Sequence, residues 1–146
     1  MTINSSLKKF KIEVSAETSN LLIIREQLSQ FLKEINFDDE RVLKILLVVD
    51  EFITNIIKHS FHEDSSKSIR IEVVSTIDQV TIEIYDDGDV FDVLDYKTST
   101  IEEHIKNPHK GGLGIPFMKL FADSIEYFPK SEKSGTNITI FKFVSN

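Results

Sequence analysis

The chain has no cysteine in its 146 residues, and only 3 prolines and 5 glycines. Without cysteine there can be no disulfide, no thiolate metal ligand and no thiol nucleophile, and the composition fits a reducing compartment. No stretch approaches the roughly 20 apolar residues of a membrane-spanning helix. The opening MTINSSLKKFKIEV has no apolar run of the about 7–15 residues that a secretory signal carries. The expectation is a cytoplasmic protein with no membrane partner. Positive charge is also in short supply: 17 Lys and Arg stand against 24 Asp and Glu, for a formal net charge of -7. Phosphate backbones are held by clustered Lys and Arg, so nucleic acid is not expected as a direct partner. The four histidines, at 59, 62, 104 and 109, have no mutual spacing that would gather a metal cluster. No internal repeat, linker or low-complexity segment interrupts the chain.

What is present suits one domain spanning residues 1–146. An apolar share of 40% with 11 Phe, beside 28% charged residues, is the balance of a folded globular protein. Residues 8–14 alternate Phe10, Ile12 and Val14 with Lys9, Lys11 and Glu13, the period of a half-buried strand, expected at or near a sheet edge. Helical spacing follows over 19–35, with Asn36 closing the helix, and again over 38–60, with Asp38 as N-cap and Asp39 and Glu40 in the first turn. Residues 68–75 and 80–85 read as a hairpin. Residues 86–110 form a loop long enough to be functional or disordered. A short helix over 115–122 and strands over 124–128 and 137–144 complete the order. Strands and helices do not alternate, which excludes a doubly wound βαβ series. The expected class is α+β: a two-layer α/β sandwich, with a mixed, mostly antiparallel sheet and helices on one face.

Three features carry chemistry. Glu51, Asn55 and His59 are spaced by four on the second helix, so at about 100° per residue they share one stripe. Leu46, Leu47, Val48, Val49, Phe52, Ile53, Ile56 and Ile57 surround that stripe. Polar groups in such a wall need partners, because burying one unpaired costs about 1–3 kcal/mol. The partners are either the neighbouring sheet and loop or a ligand. Tyr85-Asp86-Asp87-Gly88 places an acidic turn at a strand end, a common turn chemistry by itself. Lys110-Gly111-Gly112-Leu113-Gly114 runs straight into a helix. It reads either as a flexible loop end or as an anion cradle, where backbone amides and the helix terminus favour negative charge.

In this order, the three features resemble the nucleotide-binding family shared by gyrase, the heat-shock chaperone of the same fold, histidine kinases and the DNA-mismatch repair ATPases. The fold that resemblance implies is of the Bergerat type. Within that family the chain is most similar to the bacterial anti-sigma factor serine kinases. Glu51 through Asn55 with Lys58-His59 looks like the first box, Asp86-Asp87-Gly88 with Phe91-Asp92 like the second, and Gly112-Leu113-Gly114 like the third. The match continues through Leu120-Phe121-Ala122-Asp123 and Tyr127 to Gly135-Thr136-Asn137. Val90 stands where many relatives carry the last glycine of Asp-x-Gly-x-Gly. Phe91-Asp92 in its place resembles the serine kinase branch.

The resemblance implies a set of roles. Glu51 is the general base toward a protein hydroxyl, and Asn55 is the ligand of a Mg²⁺ that bridges the phosphates of ATP. Asp86 accepts a hydrogen bond from the adenine amino group, and Gly88 lets the base pack closely. Lys110 replaces an arginine on the phosphates, keeping the charge and losing the bidentate fork. Gly111, Gly112, Leu113 and Gly114 present backbone to the phosphates, and Thr136 supports the adenine end. An ATP lid is implied over about residues 89–113. The implied function is an ATP-dependent anti-sigma factor and serine/threonine kinase, acting in transcription regulation and stress response. It would phosphorylate a STAS-type anti-sigma factor antagonist and bind a sigma factor, and by analogy it would form a homodimer. The rival reading is a non-catalytic ATP-binding switch that sequesters a regulatory partner.

Overall fold

The computed structural model describes residues 7–92, Leu94 and residues 114–145. Five strands, β1 (Lys8–Ser15), β2 (Ser68–Ser75), β3 (Gln79–Asp86), β4 (Ser124–Phe128) and β5 (Asn137–Val144), form one sheet in the order β1-β2-β3-β5-β4. Every described pairing is antiparallel, so the parallel component allowed for in the expected sheet is absent among these residues. β1, expected at or near an edge, lies at one.

Alternation decides which side of the sheet is core. Ile69, Ile71 and Val73 of β2, Val80, Ile82 and Ile84 of β3, and Phe141 and Phe143 of β5 are all buried, while their neighbours along each strand are only partly covered. Helix α1 (Leu21–Glu34) follows a 3₁₀ turn at Thr18–Asn20 and buries Ile24, Leu28, Phe31 and Leu32. Helix α2 (Asp39–Asn55) buries Val42, Ile45, Val48, Val49, Phe52 and Ile53. Both sets recur at helical spacing, and they form one core with the inward face of the sheet.

Asn36 ends α1 in the left-handed region at φ 57. There the Asn36 N–H donates to the Lys33 carbonyl and the Phe37 N–H to the Leu32 carbonyl, both at 3.0 Å. That is a Schellman closure, with Asn in the position usually held by glycine and with Phe37 and Leu32 both buried beside it.

The second helix runs to Ser60 as expected, but its geometry changes at Asn55. Ile56–Ser60 is a π-helical turn. The Phe61 N–H reaches back five residues to the Ile56 carbonyl at 3.0 Å, and the Glu63 N–H reaches the Ile57 carbonyl at 2.8 Å. His62 and Glu63 then follow with positive φ, 51 and 64. Helix α3 (Gly114–Phe121) packs against α2 and buries Met118. No helix among the described residues is long and apolar enough to cross a membrane.

Candidate functional site

At one end of the sheet the core face turns polar. Register places Asn137, the first residue of β5, directly opposite Asp86, the last of β3, and Thr139 opposite Ile84. Alternation then points Asn137 and Thr139 into the same layer as Phe141 and Phe143. Asp86 is 5% exposed, Asn137 1% and Thr139 0%. Burial at this level makes unmatched polar groups costly, so the hydrogen bonds of the cluster decide what it can do.

Asp86 Oδ1 accepts two hydrogen bonds, from the Gly88 N–H at 3.0 Å and from Asn137 Nδ2 at 3.0 Å. The same Asn137 amide nitrogen also donates to the Gly88 carbonyl at 3.0 Å. Asn137 Oδ1 in turn accepts from the Lys130 N–H at 2.8 Å and from the Tyr127 hydroxyl at 3.1 Å. Burial raises the Asp86 pKa above the ordinary carboxylate range, against the opposing pull of the Asn137 and Gly88 hydrogen bonds. Asp87 pushes it in the same direction as burial, and Lys130 opposes. Thr139 Oγ1 has no hydrogen-bond partner among the described residues, a buried hydroxyl left over at the same end of the sheet.

Gly88 is where the turn meets the helix layer. A Cβ at this position would lie 2.7 Å from the Ser60 carbonyl oxygen and 2.8 Å from Cδ1 of Phe61. The neighbouring Asp89 N–H donates to that Ser60 carbonyl at 2.8 Å. Glycine here lets the acidic turn dock under the end of the π-helical turn, so the close approach at residue 88 is to protein backbone. His62 Nε2 and Asp89 Oδ2, 2.7 Å apart, tie the same two segments on the surface. Both side chains are exposed, which makes the pair weak.

Asn55 and Glu51 sit one turn apart on α2, both half-buried. Asn55 Nδ2 donates to the Glu51 main-chain carbonyl at 2.8 Å. That bond orients the amide so that its oxygen is the end left for a ligand. The Glu51 carboxylate makes no hydrogen bond or ion pair among the described residues. The expected stripe stops at these two residues, because the π-helical turn changes the periodicity before His59. The His59 ring is exposed and stacks on Phe91, with centroids 5.3 Å apart and an interplanar angle of 14°.

Among the described residues no group of three or more His, Asp or Glu could hold a metal ion. A cation here would rest on the Asn55 amide oxygen together with phosphate oxygens and water. Mg²⁺, which keeps several waters and takes few protein ligands, is compatible with such a donor set.

The remaining site residues expected from the sequence divide into two groups. Lys110, Gly111, Gly112 and Leu113 lie outside the described residues, as does most of the expected lid; Gly114 is the first residue of α3. The Thr136 hydroxyl, for its part, donates to the Ser134 carbonyl at 3.2 Å. The side chain that hydrogen-bonds Asp86 is that of the next residue, Asn137, and two residues further on Thr139 has a buried hydroxyl with no partner among the described residues. In the sequence Asn137 stands only at the end of the resemblance, with no role attached, and Thr139 is not singled out. The available signal was two polar residues at inward positions of a strand otherwise filled with Ile and Phe.

The chain matches the family described as Histidine kinase-like ATPase domain over residues 14–142. The anti-sigma F factor of Clostridium perfringens is 28% identical over 134 residues, which cover 92% of this chain and 95% of that protein. Among solved structures, that of the RsbU and RsbW domains of a Mycobacterium tuberculosis protein superposes with a TM-score of 0.64 at 16% identity, covering 95% of this chain and 33% of that one. The SiaB–SiaC complex of Pseudomonas aeruginosa contains a chain that superposes with a TM-score of 0.61 at 8% identity, covering 97% of this chain and 92% of that one. A fold shared at such low identity agrees with the α+β architecture, and the matched span runs from the end of β1 into β5, taking in Glu51, Asn55, Asp86 and Asn137. This chain belongs to the histidine kinase-like ATPase domain family.

Proposed function

We propose that this chain is an ATP-dependent anti-sigma factor and protein serine/threonine kinase that phosphorylates an anti-sigma factor antagonist. The observation that carries the reading is the pairing on α2 of a half-buried Glu51 carboxylate without a protein partner among the described residues and an Asn55 amide already oriented by its own helix. Similarity to the Clostridium perfringens anti-sigma F factor along nearly the whole chain supports the same reading.

The residues take the following parts. Asp86, ionised, accepts a hydrogen bond from the adenine amino group and holds the base at the polar end of the sheet. Asn55 offers its amide oxygen to Mg²⁺, which supplies charge neutralisation on the phosphates when bound. The Glu51 carboxylate accepts the proton of a serine or threonine hydroxyl while that oxygen bonds to the γ-phosphorus and the bond to ADP breaks. Lys110 and the glycines through Gly114 contribute charge and backbone amides on the phosphate side. The phosphoacceptor is a STAS-type antagonist domain, and a sigma factor is the second partner, held by a homodimer in the cytoplasm.

Incubation of the purified chain with Mg²⁺ and γ-labelled ATP and with candidate antagonist domains tests the proposal. Label is expected on a serine or threonine of the antagonist. Glu51→Gln is expected to lower the rate by about 10²–10⁴-fold, the usual worth of a general base, while nucleotide affinity persists. Bound ATP that remains intact with every antagonist tried would replace the kinase by a nucleotide-dependent switch.

A further inference from the structure

The buried amide of Asn137 is fixed in orientation by its neighbours. The Lys130 backbone N–H, 2.8 Å from Oδ1, can only donate, and the Gly88 carbonyl, 3.0 Å from Nδ2, can only accept. Flipping the amide would set donor against donor and acceptor against acceptor. Nδ2 therefore faces Asp86 Oδ1 as a donor, and the Gly88 N–H adds a second donor to the same oxygen. Of the two carboxylate oxygens, Oδ2 alone is left without a protein partner among the described residues.

We infer that Asn137 is a specificity-determining residue, which by holding Asp86 Oδ1 reserves Oδ2 as a lone acceptor and commits the site to a purine with an amino group at its 6-position. The inference deepens the nucleotide-binding reading above and rests on it. A 6-carbonyl purine would bring an oxygen against that acceptor, and a buried acceptor facing an acceptor is left unpaired. Tyr127 extends the arrangement outward: its hydroxyl donates to Asn137 Oδ1 and accepts the Phe91 N–H at 3.2 Å. Burial raises the Tyr127 pKa, so the hydroxyl keeps the proton it donates. The chain of bonds thus runs from the segment that follows the acidic turn, through Tyr127 and Asn137, to the carboxylate that reads the base.

The arrangement has a consequence that separates it from a carboxylate acting alone. In Asp86→Asn the amide oxygen stays on the Asn137 and Gly88 donors. Its NH₂ then takes the place of Oδ2, so the reserved acceptor becomes a reserved donor that complements a 6-carbonyl. With Asn137 also removed, one of the two donors that hold this orientation is gone.

The test is the ratio of ATP to ITP affinity, measured by calorimetric titration with Mg²⁺ on the wild type, D86N, N137A and the double variant. The wild type is expected to favour ATP by on the order of tenfold or more, and D86N to favour ITP. N137A should narrow the ATP preference, and adding N137A to D86N should narrow the ITP preference. Far-ultraviolet circular dichroism establishes that each variant is folded, and N137V, a strand-forming residue without an amide, replaces N137A if the latter is not. An unchanged ratio in the Asn137 variants, with wild-type ATP binding intact, overturns the role of Asn137 and leaves the nucleotide site standing. A wild type that binds neither nucleotide overturns both together.

Discussion

Asp86 is held at the floor of the candidate site at a cost to the fold, and the cost has a sign. Burial raises its pKa more than the Asn137 and Gly88 hydrogen bonds lower it, so the folded chain prefers the protonated form more than the unfolded chain does. The stabilising contribution linked to this group is therefore fully present below the unfolded carboxylate pKa of about 3.9, and it is lost as pH rises through the higher folded value. Without nucleotide, melting temperatures measured across that acid window should show Asp86→Asn gaining on the wild type as pH rises. A constant difference between the two would mean that burial at this residue carries no proton linkage. An acceptor next to a purine, the part proposed for Asp86, would be a reason to keep an ionisable group where a neutral one would fold as well.

Elements are shaped by what closes them. Helix α1 ends because Asn36 enters the left-handed region, which lets the Phe37 N–H return to the Leu32 carbonyl and lays Phe37 on the core. Both Asn and Ala carry a Cβ that crowds the backbone in that region, but the short polar side chain of Asn lowers the cost. Asn36→Ala should lower unfolding free energy by up to about 1 kcal/mol, and Asn36→Gly, which has no Cβ to crowd the backbone, should not lower it, as read from urea midpoints. This closure was legible in the sequence, since Asn after a helical period is a stop signal with a local cause. The π-helical turn at Ile56–Ser60 was not. Its pattern of apolar residues continues that of α2, and the change of winding is settled by contacts made elsewhere. The Ser60 carbonyl receives the Asp89 N–H, and Gly88 fits beneath it only because it has no Cβ. That contact joins segments nearly thirty residues apart, and a local pattern does not contain it. The same turn explains why His59 leaves the stripe of Glu51 and Asn55 and meets Phe91 instead.

Across the whole molecule, one core joins both long helices to the sheet, and Phe52 of α2 meets Phe141 of β5 edge to face, centroids 5.1 Å apart, at its centre. Both are among the largest fully buried side chains. Phe52→Ala should therefore lower unfolding free energy by about 3–5 kcal/mol in a denaturant titration. A much smaller loss would show that α2 is not anchored to the sheet through this pair. Glu51 and Asn55 flank Phe52 along the same helix, so the contact that stabilises the fold also sets the height of the candidate base and cation ligand over the sheet. Periods of two and 3.6 in the apolar residues determined the elements, their order and the inward faces, because a residue's side of a strand or helix depends only on its neighbours in sequence. The same sequence singled out Glu51, Asn55 and Asp86 through their motifs. Strand register was decided only in the tertiary structure: β3 and β5 meet across some fifty residues, with Asp86 opposite Asn137. A shift of one residue would have turned Thr136 inward instead, because each step along a strand reverses the face. Alternation could mark Asn137 as a polar residue facing inward, but only that pairing makes it the partner of the carboxylate.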